Sequence, residues 1–324
     1  MRTKTELLRE AQRQTASARQ RAMTLAARRR QAAAAAIPEL EPLEDKVRSL
    51  GIRLVQLAAA GAKEEEQNAA RAERAAAQKQ LETLLADHGY GPASLEPAFE
   101  CPVCKDTGVV NGRMCACVSR RARQLRREEI AKESPLSLCE FDSMELRYYP
   151  DEPDEATGVS IRTEMAETLA ALRDYAESFD MKSTSLLLCG NAGLGKTHAA
   201  LAVAQTVLEK GFDVVYISAQ SLFGQLERDR FADDCPLMEA VLEADLLVLD
   251  DLGTEYVSPY VLSCFYNLLN TRLLEKRPTV YTTNIVDGKA FEARYTEKIA
   301  SRLGGSCEPV LFLGQDIRKL KNME

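Results

Sequence analysis

The chain has 324 residues, 45% hydrophobic and 28% charged, with a formal net charge of -7. That length predicts two or three structural units, not one compact domain. No apolar run approaches the roughly 18 to 20 residues a membrane span needs, and the Arg-rich beginning is too poorly apolar for a secretory signal. No membrane partner is expected, and the expected location is the cytoplasm. Nine cysteines without an export signal point to thiols or a metal site over a disulfide framework.

Residues 1–37 hold nine Lys or Arg against Glu6 and Glu10, so this arm carries +7 and the remainder -14. A basic arm of this kind suits a polyanion or an acidic partner, or it is simply a solvated helix face. Tyr90 is the first aromatic residue. A stretch so long and so rich in Ala, Arg, Glu and Gln cannot build an ordinary globular core, but it can build helices. Leu8, Ala11, Thr15, Ala18, Ala22 and Leu25 follow 3,4 spacing, and Ile37-Pro38 then interrupts the run. Leu40, Leu43, Val47, Leu50, Leu54 and Leu57 repeat the same spacing. Both read as heptad seams that want a partner helix. Residues 1–88 are therefore expected to form a helical hairpin or coiled coil, with an Ala-rich linker as the alternative.

Residues 89–150 are expected to form a zinc-binding segment and linker. Gly89, Gly91, Pro92 and Pro97 break the helix, and Cys101-Pro-Val-Cys104 and Cys115-Ala-Cys117 follow. Two close thiol pairs joined by a Gly-containing turn are what a tetrahedral four-cysteine zinc site requires. An iron–sulfur cluster or reduced thiols are the alternatives. Cys139, Cys189, Cys235, Cys264 and Cys307 stand alone and read as small core residues. Arg120, Arg121, Arg123, Arg126 and Arg127 come next. Glu128 and Glu129 follow them, so the stretch reads as a solvated helix more than as a phosphate-binding face.

Residues 151–324 alternate apolar runs with amphipathic stretches, the pattern of an α/β domain with a mainly parallel sheet. Ser185–Cys189, Val214–Ser218, Leu246–Asp250, Thr279–Thr283 and Val310–Leu313 are the five strand candidates. Gly190-Asn191-Ala192-Gly193-Leu194-Gly195-Lys196-Thr197 fits G-x-x-x-x-G-K-[ST] at every fixed position, between an apolar strand and a helix that begins at His198. The glycines let backbone N–H groups converge on phosphates at a helix N-terminus. Lys196 would bridge the outer phosphates of ATP, and the Thr197 hydroxyl would bind Mg²⁺.

Leu246-Leu-Val-Leu-Asp250-Asp251 is an apolar strand ending in two carboxylates, as a Walker B strand does. Asp250 would hold Mg²⁺, and Asp251 would orient the attacking water. Thr279–Asn284 ends in an exposed polar residue at a sensor position, where Asn284 would touch the γ-phosphate or the water. On the next helix Arg302 is expected as an arginine finger for a neighbouring subunit, with Arg294 its nearest competitor.

From Phe141 onward the chain resembles the AAA+ ATPase domain of bacterial replicative-helicase loaders of the DnaC/DnaI type and of the IstB transposition ATPases. Phe141-Asp142, Gly190–Thr197 with His198, Val215–Ser218, Leu246–Gly253, Thr282–Asn284 and Ser301-Arg-Leu303 carry the likeness. Cys101-Pro-Val-Cys104-Lys-Asp-Thr-Gly108 also resembles the zinc-bearing segment of some loader-like proteins. The resemblance implies a P-loop domain with a five-stranded sheet and no C-terminal lid, with Zn²⁺, ATP and Mg²⁺ as cofactors. It further implies His198 beside the nucleotide and Arg318 as a substitute sensor. The implied partners are the replicative helicase, single-stranded DNA facing Ser218–Arg228, and further copies of the chain joined through ATP. Many relatives have Glu where this chain has Asp251. A transposase helper on duplex DNA is the alternative, and a metabolic nucleotide kinase fits worst.

Overall fold

The computed structural model describes residues 1–91, 93–133, 139–153, 158–231 and 235–321. Two units emerge from it, Gln12–Cys117 and a second made of Met1–Ala11 with Val118–Glu324.

The larger unit is built on five parallel strands in the order β4-β5-β6-β3-β7. These are β3 (Ser185–Cys189), β4 (Val214–Ser218), β5 (Leu246–Leu252), β6 (Thr279–Thr283) and β7 (Cys307–Leu311). Helices on both faces explain the near-continuous apolar strands, because each strand is covered from two sides. Leu186, Leu188, Val214, Tyr216, Val248 and Val280 pack on one face with α5 (Ile161–Ser178) and α6 (Lys196–Glu209). Val215, Ile217, Leu247, Leu249 and Tyr281 pack on the other. That second face meets α7 (Ala219–Arg228), α8 (Pro236–Glu243), α9 (Pro259–Leu274), α10 (Gly288–Tyr295) and α11 (Glu297–Ser306).

Three strand limits differ from those the sequence predicts, one of them the end of β7, which falls at Leu311 and not Leu313. β5 runs on to Leu252, past Asp250. β7 starts at Cys307 and not Val310, taking in the polar Glu308 and Pro309. β7 is an edge strand paired only with β3. Its side chains need not be apolar, and a proline there blocks no inner ladder.

After β7 the chain turns back over the loop that follows β3. The Phe312 N–H donates to Cys189 O at 2.8 Å, and the Ile317 N–H donates to Gly193 O at 3.0 Å, leading into the five-residue α12 (Ile317–Lys321). Among the described residues no helical lid follows the sheet.

The smaller unit holds α2 (Leu40–Ala59) and α3 (Glu64–Asp87), joined by a short turn into a helical hairpin. Arg53 pairs with Glu73 across it at 3.6 Å. Ile37 and Leu40 anchor a small cluster with Leu81, Leu84 and Tyr90 at the Pro38 corner. The first helix, α1 (Lys4–Ala36), begins in one unit and continues into the other. Its buried stripe runs through Leu7, Ala11, Thr15, Ala18, Ala26 and Ala33. The expected seam is thus corrected at its ends. Leu7 replaces Leu8, and Leu25 is 55% exposed because small alanines take the buried positions.

The arginine-rich stretch forms α4 (Ala116–Glu133). Its solvated reading fails at Arg126, which is 1% exposed. The Arg126 guanidinium donates from Nε and Nη2 to Asp213, just before β4, at 3.0 to 3.1 Å. From Nη1 it donates to Glu129 at 2.7 Å. Arg2 donates to that same Glu129, and Lys4 pairs with Asp245 before β5, so the first residues of the chain are clamped onto this unit. Burial raises the Asp213 carboxyl from its ordinary range, with Arg126 opposing.

Removing one partner of such a pair leaves the other buried and unpaired. Arg126→Ala should therefore cost about 3 kcal/mol or more of stability. The Arg126→Met, Asp213→Leu double variant should recover most of that loss in denaturant unfolding.

Candidate nucleotide-binding site and cysteine cluster

β3, β5 and β6 all end at the same edge of the sheet, the edge at which parallel α/β sheets bind ligands. The turn after β3 needs glycine for steric reasons. A Cβ on Gly193 would lie 1.8 Å from Asp316 Oδ1, and φ there is +79°. A Cβ on Gly190 would lie 2.5 Å from Phe312 O. Gly195 caps α6, so the N-terminal N–H groups of that helix face the loop interior.

Lys196 is buried at the head of α6. Its ammonium donates to Gly190 O, Asn191 O and Asn284 Oδ1, each at 2.7 Å. Burial lowers it from its ordinary pKa, and Asp251 and Asp250 oppose the shift. Asn284 Nδ2 donates in turn to Asp251 Oδ1 at 2.8 Å. One side-chain amide therefore bridges the cation and the carboxylate. Burial, then the neighbouring Asp250, raise the Asp251 carboxyl above its usual range.

Asp251 has φ +60° at the bulge in β5. Asp and Asn tolerate that left-handed backbone better than longer side chains do, which suits the shorter acid at this position. The Thr197 hydroxyl donates to both oxygens of Asp250, at 3.0 and 3.1 Å. A hydroxyl and a carboxylate this close form an all-oxygen donor set of the kind a hard divalent cation takes. Thr197 and Asp250 could hold Mg²⁺ beside a nucleotide.

The cavity over this edge has a volume of about 310 Å³. Ala192 to His198, Asp251, Thr282 and Asn284 line its phosphate side. Met144, Tyr148 and Tyr149 also line it, and Ile317, Arg318 and Lys321 close it from the folded-back segment after β7. His198 Nε2 shares a hydrogen bond with Ser143 Oγ at 2.7 Å. Burial, and next Lys321, lower the His198 pKa, favouring the neutral ring. Tyr149 donates to Leu194 O at 2.9 Å and braces the loop from behind.

Two arginines lie away from this cavity. Arg302 Nε donates to Asn270 Oδ1 at 3.1 Å, and its guanidinium sits 4.8 Å from the Tyr266 ring centre. Arg294 donates to Glu255 O and lies over Tyr295.

The site also takes in Thr282, Tyr216, Tyr149 and Asp316, to which the sequence motifs assign no role. Tyr216 carried one usable signal. A phenol inside a buried strand needs a hydrogen-bond partner at its far end.

The sequence model of the IstB-like ATP-binding proteins matches residues 160–322. The chain belongs to the IstB-like ATP-binding family. The replicative helicase loader DnaC of Escherichia coli (strain K12) is 29% identical over 119 residues, covering 36% of this chain and 49% of that protein. The chain thus spans about half the length of the DnaC sequence it matches. The phage-like element PBSX protein XkdC of Bacillus subtilis (strain 168) is 28% identical over 250 residues, covering 71% of this chain and 87% of that one. A crystal structure of the DnaC helicase loader superposes with a TM-score of 0.45 and 21% identity, over 54% of this chain and 97% of that chain.

The smaller unit carries a second constellation. Cys101, Cys104, Cys115 and Cys117 bring their sulfurs within 4.8 Å of one another. The Cys101–Cys115 and Cys104–Cys117 separations are 3.9 and 3.5 Å. Tetrahedral ligation with Zn–S bonds of about 2.3 Å requires sulfurs about 3.8 Å apart, so the donor set fits zinc.

A small hairpin, β1 (Val109–Val110) with β2 (Arg113–Met114), joins the two pairs. Asp106 fixes the first pair by accepting from Glu100 N and Cys101 N at 2.9 and 2.8 Å. Burial would raise the Cys104 thiol, but the Gly108 N–H and the other three cysteines outweigh it and bring it down to about 7. Protein purified under reducing conditions should carry about one zinc per chain. Cys101→Ser should release it, as read by elemental analysis, while nucleotide binding by the separate unit persists.

Proposed function

We propose that this chain is an ATPase that loads the replicative DNA helicase onto single-stranded DNA, working in the cytoplasm as an oligomer of itself bridged by ATP. The observation that carries the reading is the linked set Lys196, Asn284, Asp251, Thr197 and Asp250. It lies within a family whose relatives include a named replicative helicase loader.

In this reading Lys196 neutralises the outer phosphates, and Thr197 with Asp250 holds Mg²⁺, which supplies charge neutralisation at the phosphates when bound. Asp251 and Asn284 orient the lytic water, each fixed by its hydrogen bond to the other. Ala192, Leu194 and the other loop residues supply backbone N–H groups, and Arg318 stands on the phosphate side as a cis sensor. The adenine end falls to Met144 and Tyr148, with His198 beside the nucleotide.

Arg302 is not among the described residues that line the cavity of its own chain; it donates to Asn270 and lies over the Tyr266 ring. These features support a role toward a neighbour's γ-phosphate. For single-stranded DNA, the support is an exposed aromatic surface that continues from α7. Phe231 is 88% exposed, and the Arg230 guanidinium lies 5.0 and 5.5 Å from the Phe231 and Tyr260 ring centres. Bases stack on such rings with little sequence preference. The zinc segment and the helical hairpin are assigned to docking the helicase. The family's name favours one alternative, a transposase helper ATPase acting on duplex DNA.

Two experiments test the proposal. Immobilised full-length protein should retain the host replicative helicase in an ATP-dependent manner. Retention of a transposase and not the helicase would shift the assignment to the alternative. The ATPase rate per chain should also rise with protein concentration, and Arg302→Ala should lose that rise while still binding ATP. Mixing Arg302→Ala with Lys196→Ala protein should restore part of the activity, because each supplies what the other lacks. An inactive mixture, together with a wild-type rate independent of concentration, would remove the trans role of Arg302.

A further inference from the structure

Asp250 is 5% exposed, and three hydroxyls donate to it. Thr197 reaches both its oxygens, Thr282 donates to Oδ1 at 2.6 Å and Tyr216 donates to Oδ2 at 2.7 Å. These donors differ in what else they must do. Thr197 is the residue whose hydroxyl turns to the cation in a phosphate loop, so its bond to Asp250 is not available to hold the carboxylate once the site is filled. Thr282 also accepts from the Asp251 N–H at 2.8 Å, which ties it to the bulge in β5. Tyr216 has a rigid ring packed in the core between α6 and the sheet, and the register places Tyr216 two residues before Ser218, the residue opposite Asp250. Its phenol approaches Asp250 from the β4 side, across from the Thr282 hydroxyl on β6.

We propose that Tyr216 is a positioning residue for the divalent cation, holding the Asp250 carboxylate in the plane that faces Thr197. The inference rests on reading this edge as a Mg²⁺–nucleotide site. Groups that orient metal-binding carboxylates from behind alter metal affinity by roughly 10- to 100-fold when removed. Tyr216→Phe keeps the buried ring and deletes only the donor.

The test is a titration of full-length protein with a fluorescent ATP analogue, in EDTA and across a range of Mg²⁺, with direct Mn²⁺ binding by electron paramagnetic resonance. Tyr216→Phe should bind nucleotide in EDTA as wild type does, yet need about ten-fold more Mg²⁺ for half-saturation and bind Mn²⁺ correspondingly less tightly. A purely structural role would weaken binding in EDTA as well. That result, or a wild-type Mg²⁺ requirement in the variant, would overturn the proposal. If wild type itself shows no cation dependence, the reading of the site falls first and this inference with it.

Discussion

A carboxylate buried in a sheet has to be stabilised by nearby donors and charge, and among the described residues the hydrogen bonds to Asp250 come from hydroxyls, with the Lys196 ammonium close enough to interact. The hydroxyls are those of Thr197 on α6, Tyr216 on β4 and Thr282 on β6. Those three elements surround β5, so this single side chain ties the head of the phosphate-loop helix to both strands that flank its own. A slip of one residue in either neighbour would turn a hydroxyl to the opposite face of the sheet. The alignment of β4, β5 and β6 and the alignment of the site are therefore one constraint.

The larger unit uses buried arginine in two different ways. Arg126 meets carboxylates and thereby joins α4 and the first residues of the chain to the strand starts at Asp213 and Asp245. Among the described residues Arg272 meets no carboxylate in its hydrogen bonds. It donates to Val241, Leu242, Ala244 and Pro278 carbonyls and to Thr279 Oγ1, closing the end of α8 against β6. Burial lowers its pKa to about 10, which still leaves it charged at neutral pH. These anchors lie at the strand starts, opposite the nucleotide edge. One end of the sheet is thus set by fixed ion pairs and carbonyl caps, and the other is left for a ligand.

What could be read in the sequence follows from how local each requirement is. The phosphate loop was legible because cradling phosphates fixes glycine, lysine and threonine at set spacings, and the strand and helix around it are contiguous in the chain. The four cysteines were legible for the same reason. Arg126 was not, because its partner Asp213 lies 87 residues away and nothing in the local charge pattern distinguishes it from Arg123 or Arg127. The start of β7 was hidden by Glu308 and Pro309, which an edge position tolerates and an inner strand would not. In α1 the heptad count marked Leu25 as seam, but alanines fill the buried stripe and leave it outside. Asn284 was legible as a polar strand end. Its bridging of Lys196 and Asp251 depends on where three strand ends meet, and no single segment encodes that.

The segment after β7 forms one wall of the nucleotide cavity. Asp316 occupies the space a Gly193 side chain would need, and the Ile317 N–H is bonded to the same glycine's carbonyl. Arg318 and Lys321 face the cavity from α12, and Lys321 also pairs with Glu145 at its far end. Five residues cannot sustain a helix in water on their own, so α12 persists through what it touches. Displacing α12 would therefore strip the phosphate loop of the Gly193 contacts that brace it. A nucleotide seated in this cavity would slow amide hydrogen exchange in α12 together with the phosphate loop, because it would touch both walls at once.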